Sequence, residues 1–187
     1  MNKVAEFEKV SFEQFKKDWA GCFPEYQEDD TYIKNIYSQI QLPKRATVGS
    51  AGYDLFSPLN LTLYPNGSQF IDCDNPFKIL KGEIKIPTGI RCQIENGWVL
   101  QIYPRSSLGF KYGIHLANTV GIIDSDYYNS DNEGHIFIKL INDSSIHDTV
   151  KIKKGQAFCQ GIFLPYGITY DDKANEIRNG GFGSTDI

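Results

Sequence analysis

The strongest constraint on the fold is a series of short β-forming runs that begins near Gln41 and recurs through Pro165. These runs are rich in Ile, Val, Tyr and Phe, and turn-forming stretches such as "PNGS", "ENGW" and "KKGQ" separate them. No long segment with a helical period interrupts the series, which argues against strand–helix–strand crossover units. Many short strands without crossover helices predict an all-β fold: an antiparallel sandwich, barrel or jelly roll.

The residues before Gln41 have a different pattern. Residues 3–10 contain a β-forming run, and Ser11 with Gln14 then forms a capping-box pattern, which predicts the start of a helix. Two apolar stripes with helical spacing follow, one of Phe12, Phe15 and Trp19 and one of Ile33, Ile36, Tyr37 and Ile40. We therefore predict a segment of two short amphipathic helices within residues 11–38. We expect it to cover the outside of the core and leave any catalytic pocket untouched; binding of a partner protein is the alternative.

Length, charge and cysteine content limit the classes of function. The chain has 187 residues, about the size of one domain, and its net charge of −4 argues against a general nucleic-acid or membrane binder. The four cysteines, Cys22, Cys73, Cys92 and Cys159, form no CxxC pair, so they suggest neither a zinc site nor a disulfide framework. Since no leader-like segment or membrane-length apolar run is evident, we expect a cytoplasmic protein with reduced thiols.

The segment "GIIDSDYYNSDNEGHI" (121–136) is unusually acidic for a connection between two apolar runs. The flanking runs, Val120–Ile123 and Ile136–Ile141, predict a β-hairpin with a long polar tip. A metal loop, a solvated turn and the mouth of an active site are the three interpretations. A calcium-binding loop fits poorly, because the residues at its fifth, sixth and twelfth positions do not match. A solvated turn does not account for Asp124, which directly follows a buried-looking strand.

Two further segments carry groups suited to phosphate. In "YPRSSLGFKYGI", Arg105 can form paired hydrogen bonds with phosphate oxygens, and Ser106 and Ser107 offer hydroxyl and amide donors. In "RNGGFGSTD", Arg178 stands beside glycines whose amides can approach a phosphate closely. A surface turn and a disordered tail are the simpler interpretations of these two segments. Phe182 argues against the second, because a solvated tail has little use for a phenyl ring.

In chain order, these segments resemble the five motifs of the trimeric dUTPases across residues 41–186. The motifs are "AGYDL" (51–55), "PRSSLGFKYGI" (104–114), "NTVGIIDSDY" (118–127), "GQAFCQGIF" (155–163) and "GGFGST" (180–185). Five ordered motifs at suitable spacing are a specific match, whereas any single one is weak. The resemblance implies a jelly-roll (β-clip) subunit, with residues 1–187 as one domain and residues 177–187 as a mobile C-terminal arm.

The resemblance also implies a reaction and an assembly. The reaction is hydrolysis of dUTP to dUMP and pyrophosphate, which limits uracil entry into DNA and supplies dUMP for thymidylate synthesis. The assembly is a homotrimer with shared active sites. Asp124 would act as the general base for water attacking the α-phosphorus, a role that typically contributes ~10²–10⁴ in rate. Mg²⁺ would be held through the triphosphate and water, without direct protein ligands.

The other site roles carry over by position. The groups expected to read the uracil edge are Asn118, Ile122, Ile123 and Phe137. Tyr127 would pack on the deoxyribose and exclude a 2′-hydroxyl. The groups expected to bind phosphates are Arg105, Ser106, Ser107 and Gln160. In the arm, Phe182 would stack on uracil, while Arg178, Gly183, Ser184 and Thr185 would close over the γ-phosphate. Asp54 is expected to orient neighbouring groups instead of touching substrate.

The sequence departs from the family pattern in several places. These are five extra residues before Gly134, Ser107 in place of a usual glycine, Ala157 in place of a common arginine, and a fifth motif that is one residue short after Arg178. The inserted loop residues Asp131, Asn132 and Glu133 are expected to be solvated. Residues 11–38 also match nothing in the family core, so we expect this helical segment to be an insert.

Two other functions compete with dUTP hydrolysis. The dCTP deaminases are relatives with the same fold, and "GHI" is more like their pattern. However, they carry a catalytic glutamate where this chain has Lys139, and a lysine cannot perform the proton transfers of that carboxylate. The third interpretation is a binding module that grips a regulatory protein through the insert. No residue pattern in the sequence supports such a partner.

Overall fold

The computed structural model describes residues 2–24, 29–65, 82–144, 149–176 and 178. The strands are β1 (Ala5–Lys9), β2 (Lys44–Arg45), β3 (Tyr53–Phe56), β4 (Leu61–Leu63), β5 (Glu83–Pro87), β6 (Ile90–Ile94), β7 (Trp98–Pro104), β8 (Ile114–Leu116), β9 (Gly121–Ile123), β10 (Phe137–Asn142), β11 (Val150–Ile152) and β12 (Ala157–Pro165). The helices are α1 (Phe12–Cys22), α2 (Asp30–Ser38), α3 (Ser106–Tyr112) and a 3₁₀ helix at Ser125–Asn129. The predicted all-β class with a short helical insert near the N-terminus is confirmed.

The largest sheet of the described residues has the strand order β2-β3-β12-β7-β9, and its pairs are antiparallel. The central strand β12 pairs with β3 on one side and with β7 on the other, so Gln160 lies opposite both Asp54 and Tyr103. At the sheet edge, Leu100 of β7 is opposite Ile123 of β9. This order brings together segments that are more than a hundred residues apart in the sequence.

The predicted hairpin between the two apolar runs is wrong. The first run forms β9, which pairs with β7, whereas the second forms β10, which pairs with β5 and β8. The connection between them folds into the 3₁₀ helix and a tight turn instead of an open tip. Alternation of apolar residues predicts a strand but not its partner, because pairing depends on contacts that are distant in sequence.

The insert lies between β1 and β2 and forms part of the main core. Ser11 caps α1 by accepting the N–H of Gln14 at 3.1 Å, and Asp29 caps α2 by accepting the N–H of Tyr32 at 2.8 Å. The most buried members of the two stripes are Phe15, Trp19, Ile33 and Ile36. Because burial of such a side chain contributes about 1.5–3 kcal/mol, packing and not local propensity stabilises these short helices.

The remaining described strands form smaller sheets around the same core. Their orders are β5-β10-β8, β1-β6 and β11-β4. The cysteine residues that the structure describes, Cys22, Cys92 and Cys159, are free thiols. Among the helices described, none combines the length and apolar character needed to cross a membrane.

Candidate active site

A first cleft lies at the centre of the large sheet. It has a volume of about 560 Å³, and β12 forms its floor between β3 and β7. Its lining residues are Ala46, Ser50, Ala51, Gly52, Asp54, Arg105, Ser106, Ser107, Gln160 and Ile162. The structure therefore places Arg105, Ser106, Ser107 and Gln160, four of the described residues predicted to bind phosphate, in one cleft.

An ion pair with Asp54 holds the guanidinium of Arg105 in this cleft. Nη1 of Arg105 lies 2.6 Å from Oδ1 of Asp54, and the two side chains are 39% and 16% exposed. Asp54 thus orients a neighbouring group, as predicted from its position in the first motif. Ser106 and Ser107 open α3, and the N–H groups of a first helical turn lack partners within the helix and favour anions. The cleft combines a held guanidinium with hydroxyl and amide donors, which suits an oxyanion ligand.

The second cleft lies at the β9 edge of the same sheet. It has a volume of about 210 Å³ and is lined by Ile102, Asn118, Val120, Gly121, Ile122, Ile123, Tyr127, Phe137 and Arg178. A tight turn presents Asn118: Thr119 has a φ of 63°, and the N–H of Val120 donates to the carbonyl of Asn118 at 2.6 Å. A β-branched residue rarely adopts positive φ, so the surrounding structure holds this turn in a strained conformation.

Tyr127 is the buried wall of the second cleft. Its side chain is only 4% exposed, and its hydroxyl donates to the carbonyl of His135 at 2.7 Å. The same hydroxyl accepts a hydrogen bond from Nδ2 of Asn132 at 2.8 Å. Burial raises the pKa of the Tyr127 phenol, so the ring stays neutral at physiological pH. A neutral ring with a tied hydroxyl presents a fixed apolar surface to the cleft.

Asp124 lies at the end of β9 and is joined to the second cleft through Arg178. Nη1 of Arg178 is 2.7 Å from Oδ2 of Asp124 and 3.1 Å from Oδ1 of Asp126. The guanidinium also lies 5.3 Å from the centre of the Tyr127 ring. Burial alone would lower the pKa of Arg178, but the hydrogen bonds with the two carboxylates outweigh it and raise that pKa. The carboxylate predicted to act as base is therefore accessible to solvent and paired with a cation.

Comparison with known proteins identifies the family of this chain. The family model described as dUTPase matches residues 73–186. The chain belongs to the dUTPase family. A deoxyuridine 5′-triphosphate nucleotidohydrolase from Lactococcus lactis subsp. lactis is 41% identical over 150 residues, which are 78% of this chain and 88% of that protein. One from Dictyoglomus turgidum is 34% identical over 160 residues, or 83% of this chain and 97% of that protein.

A solved structure supports the same assignment. The crystal structure of a dUTPase from Streptococcus mutans matches with a TM-score of 0.53 and 35% sequence identity, covering 68% of this chain and 88% of that one. The alternative of a dCTP deaminase is not supported at position 139, where a catalytic glutamate was expected for that family and this chain has a lysine. Lys139 projects from β10 onto the surface, where its Nζ lies 2.9 Å from Oε2 of Glu83, and it lines neither cleft.

The extra loop residues of this dUTPase-family chain are not all solvated, which corrects the prediction from the sequence. Glu133 accepts hydrogen bonds from the N–H and the hydroxyl of Ser11, at 2.7 and 2.6 Å. Burial raises the pKa of Glu133, but these two bonds outweigh it and the pKa is lowered, so Glu133 is a carboxylate. Asn132 bonds to Tyr127, as described above, and only Asp131 of the three is exposed.

Sequence reasoning missed Asp18 and His135. Nδ1 of His135 lies 2.6 Å from Oδ2 of Asp18, although the two residues are 117 positions apart. No residue that the structure describes within the insert lines either cleft, which agrees with the expectation that the insert leaves the pocket untouched. Through Asp18, however, the insert contacts the residue whose carbonyl holds Tyr127. No sequence pattern pairs a helical aspartate with so distant a histidine.

Four predicted site residues fall outside the described part of the chain: Phe182, Gly183, Ser184 and Thr185. Arg105, Ser106, Ser107 and Gln160, predicted for phosphates, line the first cleft, which we call the phosphate cleft. The second, which we call the nucleoside cleft, is lined by the residues predicted for the nucleoside (Asn118, Ile122, Ile123, Tyr127 and Phe137) and by Arg178, which was predicted for the γ-phosphate. Asp124 lines neither cleft and reaches the second through Arg178, and no described residue lines both clefts.

Proposed function

We propose that the chain hydrolyses dUTP to dUMP and pyrophosphate, with Asp124 as the general base for water that attacks the α-phosphorus. Membership of the dUTPase family supports the overall reaction. The observation that carries the mechanism is the position of Asp124, a half-exposed carboxylate at the end of the strand that lines the nucleoside cleft. A carboxylate there can take a proton from water without leaving solvent contact. The reaction would limit uracil in DNA and supply dUMP for thymidylate synthesis.

The nucleoside cleft suits a deoxyuridine. Asn118 offers an amide donor and an acceptor, and with the backbone near Ile122, Ile123 and Phe137 it can pair with the edge of uracil. A site that pairs polar groups with a base edge rejects a mispaired analogue strongly, because buried groups are then unsatisfied. The ring of Tyr127 closes the side of the cleft, and its fixed position leaves little room for a 2′-hydroxyl.

The first cleft would take the phosphates. Arg105, Ser106, Ser107 and Gln160 supply the donors, and charge neutralisation at a transferring phosphoryl group is a large part of such catalysis. No cluster of three or more His, Cys, Asp or Glu side chains suited to a metal occurs within the described ranges. The donors of this cleft can bind the oxygens of a triphosphate that itself carries Mg²⁺ with water. When bound, Mg²⁺ would neutralise phosphate charge.

A homotrimer with shared sites would complete the active site. No described residue of one chain lines both the phosphate cleft and the nucleoside cleft, so a second copy can supply the missing half of each site. Apolar side chains also stand on the surface of the single chain, among them Val48 (85% exposed), Phe110 (93%) and Ile168 (75%). Burial of such residues between copies would favour assembly. Arg178, released from Asp124, would join residues 182–185 in closing the arm over substrate.

The test is pyrophosphate release from dUTP, UTP, dCTP and dTTP in the presence of Mg²⁺. Hydrolysis of dUTP with strong preference over the other three is expected. Asp124→Asn should lose about 10²–10⁴ in kcat with little change in dUTP affinity. Asp131→Asn removes the same charge from an exposed site of the same loop and should behave like the wild type. Wild-type turnover by Asp124→Asn would remove Asp124 from the role of base.

A further inference from the structure

The wall of the nucleoside cleft rests on His135. The backbone carbonyl of His135 accepts the hydroxyl of Tyr127 at 2.7 Å. Its imidazole ring packs against Phe137, with ring centres 4.6 Å apart. Both aromatic residues line the cleft, whereas His135 is fully buried behind them. The position of this histidine therefore sets the position of two groups that face the substrate.

Two distant segments hold the imidazole of His135. The N–H of Gly89 donates to Nε2 at 2.8 Å, so Nε2 carries no proton. The proton of the neutral ring is therefore on Nδ1, which donates to Oδ2 of Asp18 at 2.6 Å. Nε2 of Gln14 donates to the same carboxylate oxygen at 2.8 Å and fixes it in turn. Both Gln14 and Asp18 belong to α1, in the helical insert.

We propose that Asp18 is a positioning residue for the nucleoside: it holds His135 so that Tyr127 and Phe137 keep the shape of the cleft. Without the carboxylate, a fully buried N–H group would lack a partner, and the ring would have to move or admit water to satisfy it. Movement of His135 would shift the carbonyl that fixes Tyr127. The inference rests on the proposed function, since it concerns binding of the same dUTP.

The test measures kcat and KM for dUTP and UTP in Asp18→Ala. Because Tyr127 and Phe137 contact the nucleoside in the ground state as well as the transition state, KM should rise with little change in kcat. We expect KM for dUTP to rise about tenfold, which corresponds to about 1.4 kcal/mol. The preference for dUTP over UTP should fall as well, because the fixed ring of Tyr127 excludes the 2′-hydroxyl.

Two control variants separate positioning from general stability. Glu13→Ala removes an exposed carboxylate from the same helix, and Ile36→Val weakens the packing of α2, but neither residue bonds to His135 in the structure. Both should keep the wild-type KM, even where Ile36→Val lowers the melting temperature. Asp18→Asn retains an oxygen that can accept the Nδ1–H bond and should restore KM to within about threefold of wild type.

Each outcome bears on the inference. A folded Asp18→Ala variant with wild-type KM and selectivity would overturn it, as would an equal rise in KM in Ile36→Val. Should Asp18→Ala not fold, Asp18→Glu replaces it, because the added methylene displaces the carboxylate; an unchanged KM in that variant overturns the inference too. Absence of dUTP hydrolysis by the wild-type protein would instead overturn the proposed function, and this inference with it.

Discussion

Replacing Gly134 with alanine should destabilise the protein by about 2–5 kcal/mol. Gly134 has a φ of 70°, a conformation that costs a residue with a side chain about 1–2 kcal/mol. A Cβ atom there would lie 2.7 Å from Cα of Tyr128 and 2.9 Å from the carbonyl oxygen of Tyr127. Since both are backbone atoms that cannot rotate away, overpacking should add about 1–3 kcal/mol.

Two other glycines separate these contributions. Gly97 has a φ of 86°, but a Cβ atom there would have no neighbour within 4 Å, so Gly97→Ala should cost only the backbone term of about 1–2 kcal/mol. Gly21 lies in α1, and a Cβ atom there also meets nothing within 4 Å. Because glycine is unfavourable inside a helix, Gly21→Ala should stabilise the protein by about 0.5–1 kcal/mol.

The assay is urea unfolding of the three variants at one protein concentration, because the stability of an oligomer depends on concentration. Kinetics with dUTP follow on the same samples. Displacement of the Tyr127 carbonyl should raise KM in Gly134→Ala, whereas Gly97→Ala should keep the wild-type KM. Equal losses of stability in Gly134→Ala and Gly97→Ala would refute the reasoning, since the close approach to Tyr128 would then carry no cost.

Three further predictions concern the arm, the first cleft and the thiols. Deleting residues 177–187, most of which lie outside the described ranges, should leave the fold intact by circular dichroism but cripple turnover; unchanged turnover would mean that the arm has no catalytic role. Asp54→Asn should free Arg105 and raise KM for dUTP several-fold, which corresponds to about 1 kcal/mol. Added salt should not restore the wild-type KM, and an unchanged KM in the variant would contradict the orienting role. Burial raises the pKa of Cys22 to about 11 and of Cys92 to about 12, so the stability that both thiols contribute below pH ~8.5 should be lost as pH rises toward those values. In urea unfolding, Cys92→Ala should lose less stability with rising pH than the wild type, and an equal loss would contradict the prediction.

The features that the sequence predicted well are those encoded locally. The cap at Ser11 and the apolar stripes of the insert are patterns within one turn or two of a helix, and both were found where expected. The position of Asp54 in its motif likewise predicted an orienting role, and the ion pair with Arg105 agrees with it. In each case the deciding neighbours lie within a few residues or within a known motif.

The errors have a shared physical cause, because each concerned a contact between distant segments. The partners of β10 are β5 and β8 and not the preceding strand β9, and alternation of apolar residues alone cannot predict which strands pair. Glu133 was expected in water because its neighbours in sequence are polar, but its carboxylate reaches the first helix. The lone His135 had no pattern around it that indicated Asp18.

Two of the departures from the family pattern, the helical insert and the longer loop before Gly134, contact each other. Ser11 caps α1 with its hydroxyl, and Glu133 accepts hydrogen bonds from that hydroxyl and from the Ser11 N–H. In a complete capping box the side chain of Gln14 would accept the Ser11 N–H, so Glu133 takes that role here. A carboxylate near the start of a helix is also favoured by the helix dipole. The second link is the Asp18–His135 hydrogen bond.

This mutual dependence is unequal. Loss of the loop would expose the Ser11 N–H to water, which can replace Glu133 as acceptor, so α1 would lose about 0.5–1.5 kcal/mol. Loss of the Asp18 carboxylate alone would leave the fully buried Nδ1–H of His135 without an acceptor, at about 1–3 kcal/mol, directly behind Tyr127. The contact behind the cleft therefore contributes more than the contact at the exposed start of α1.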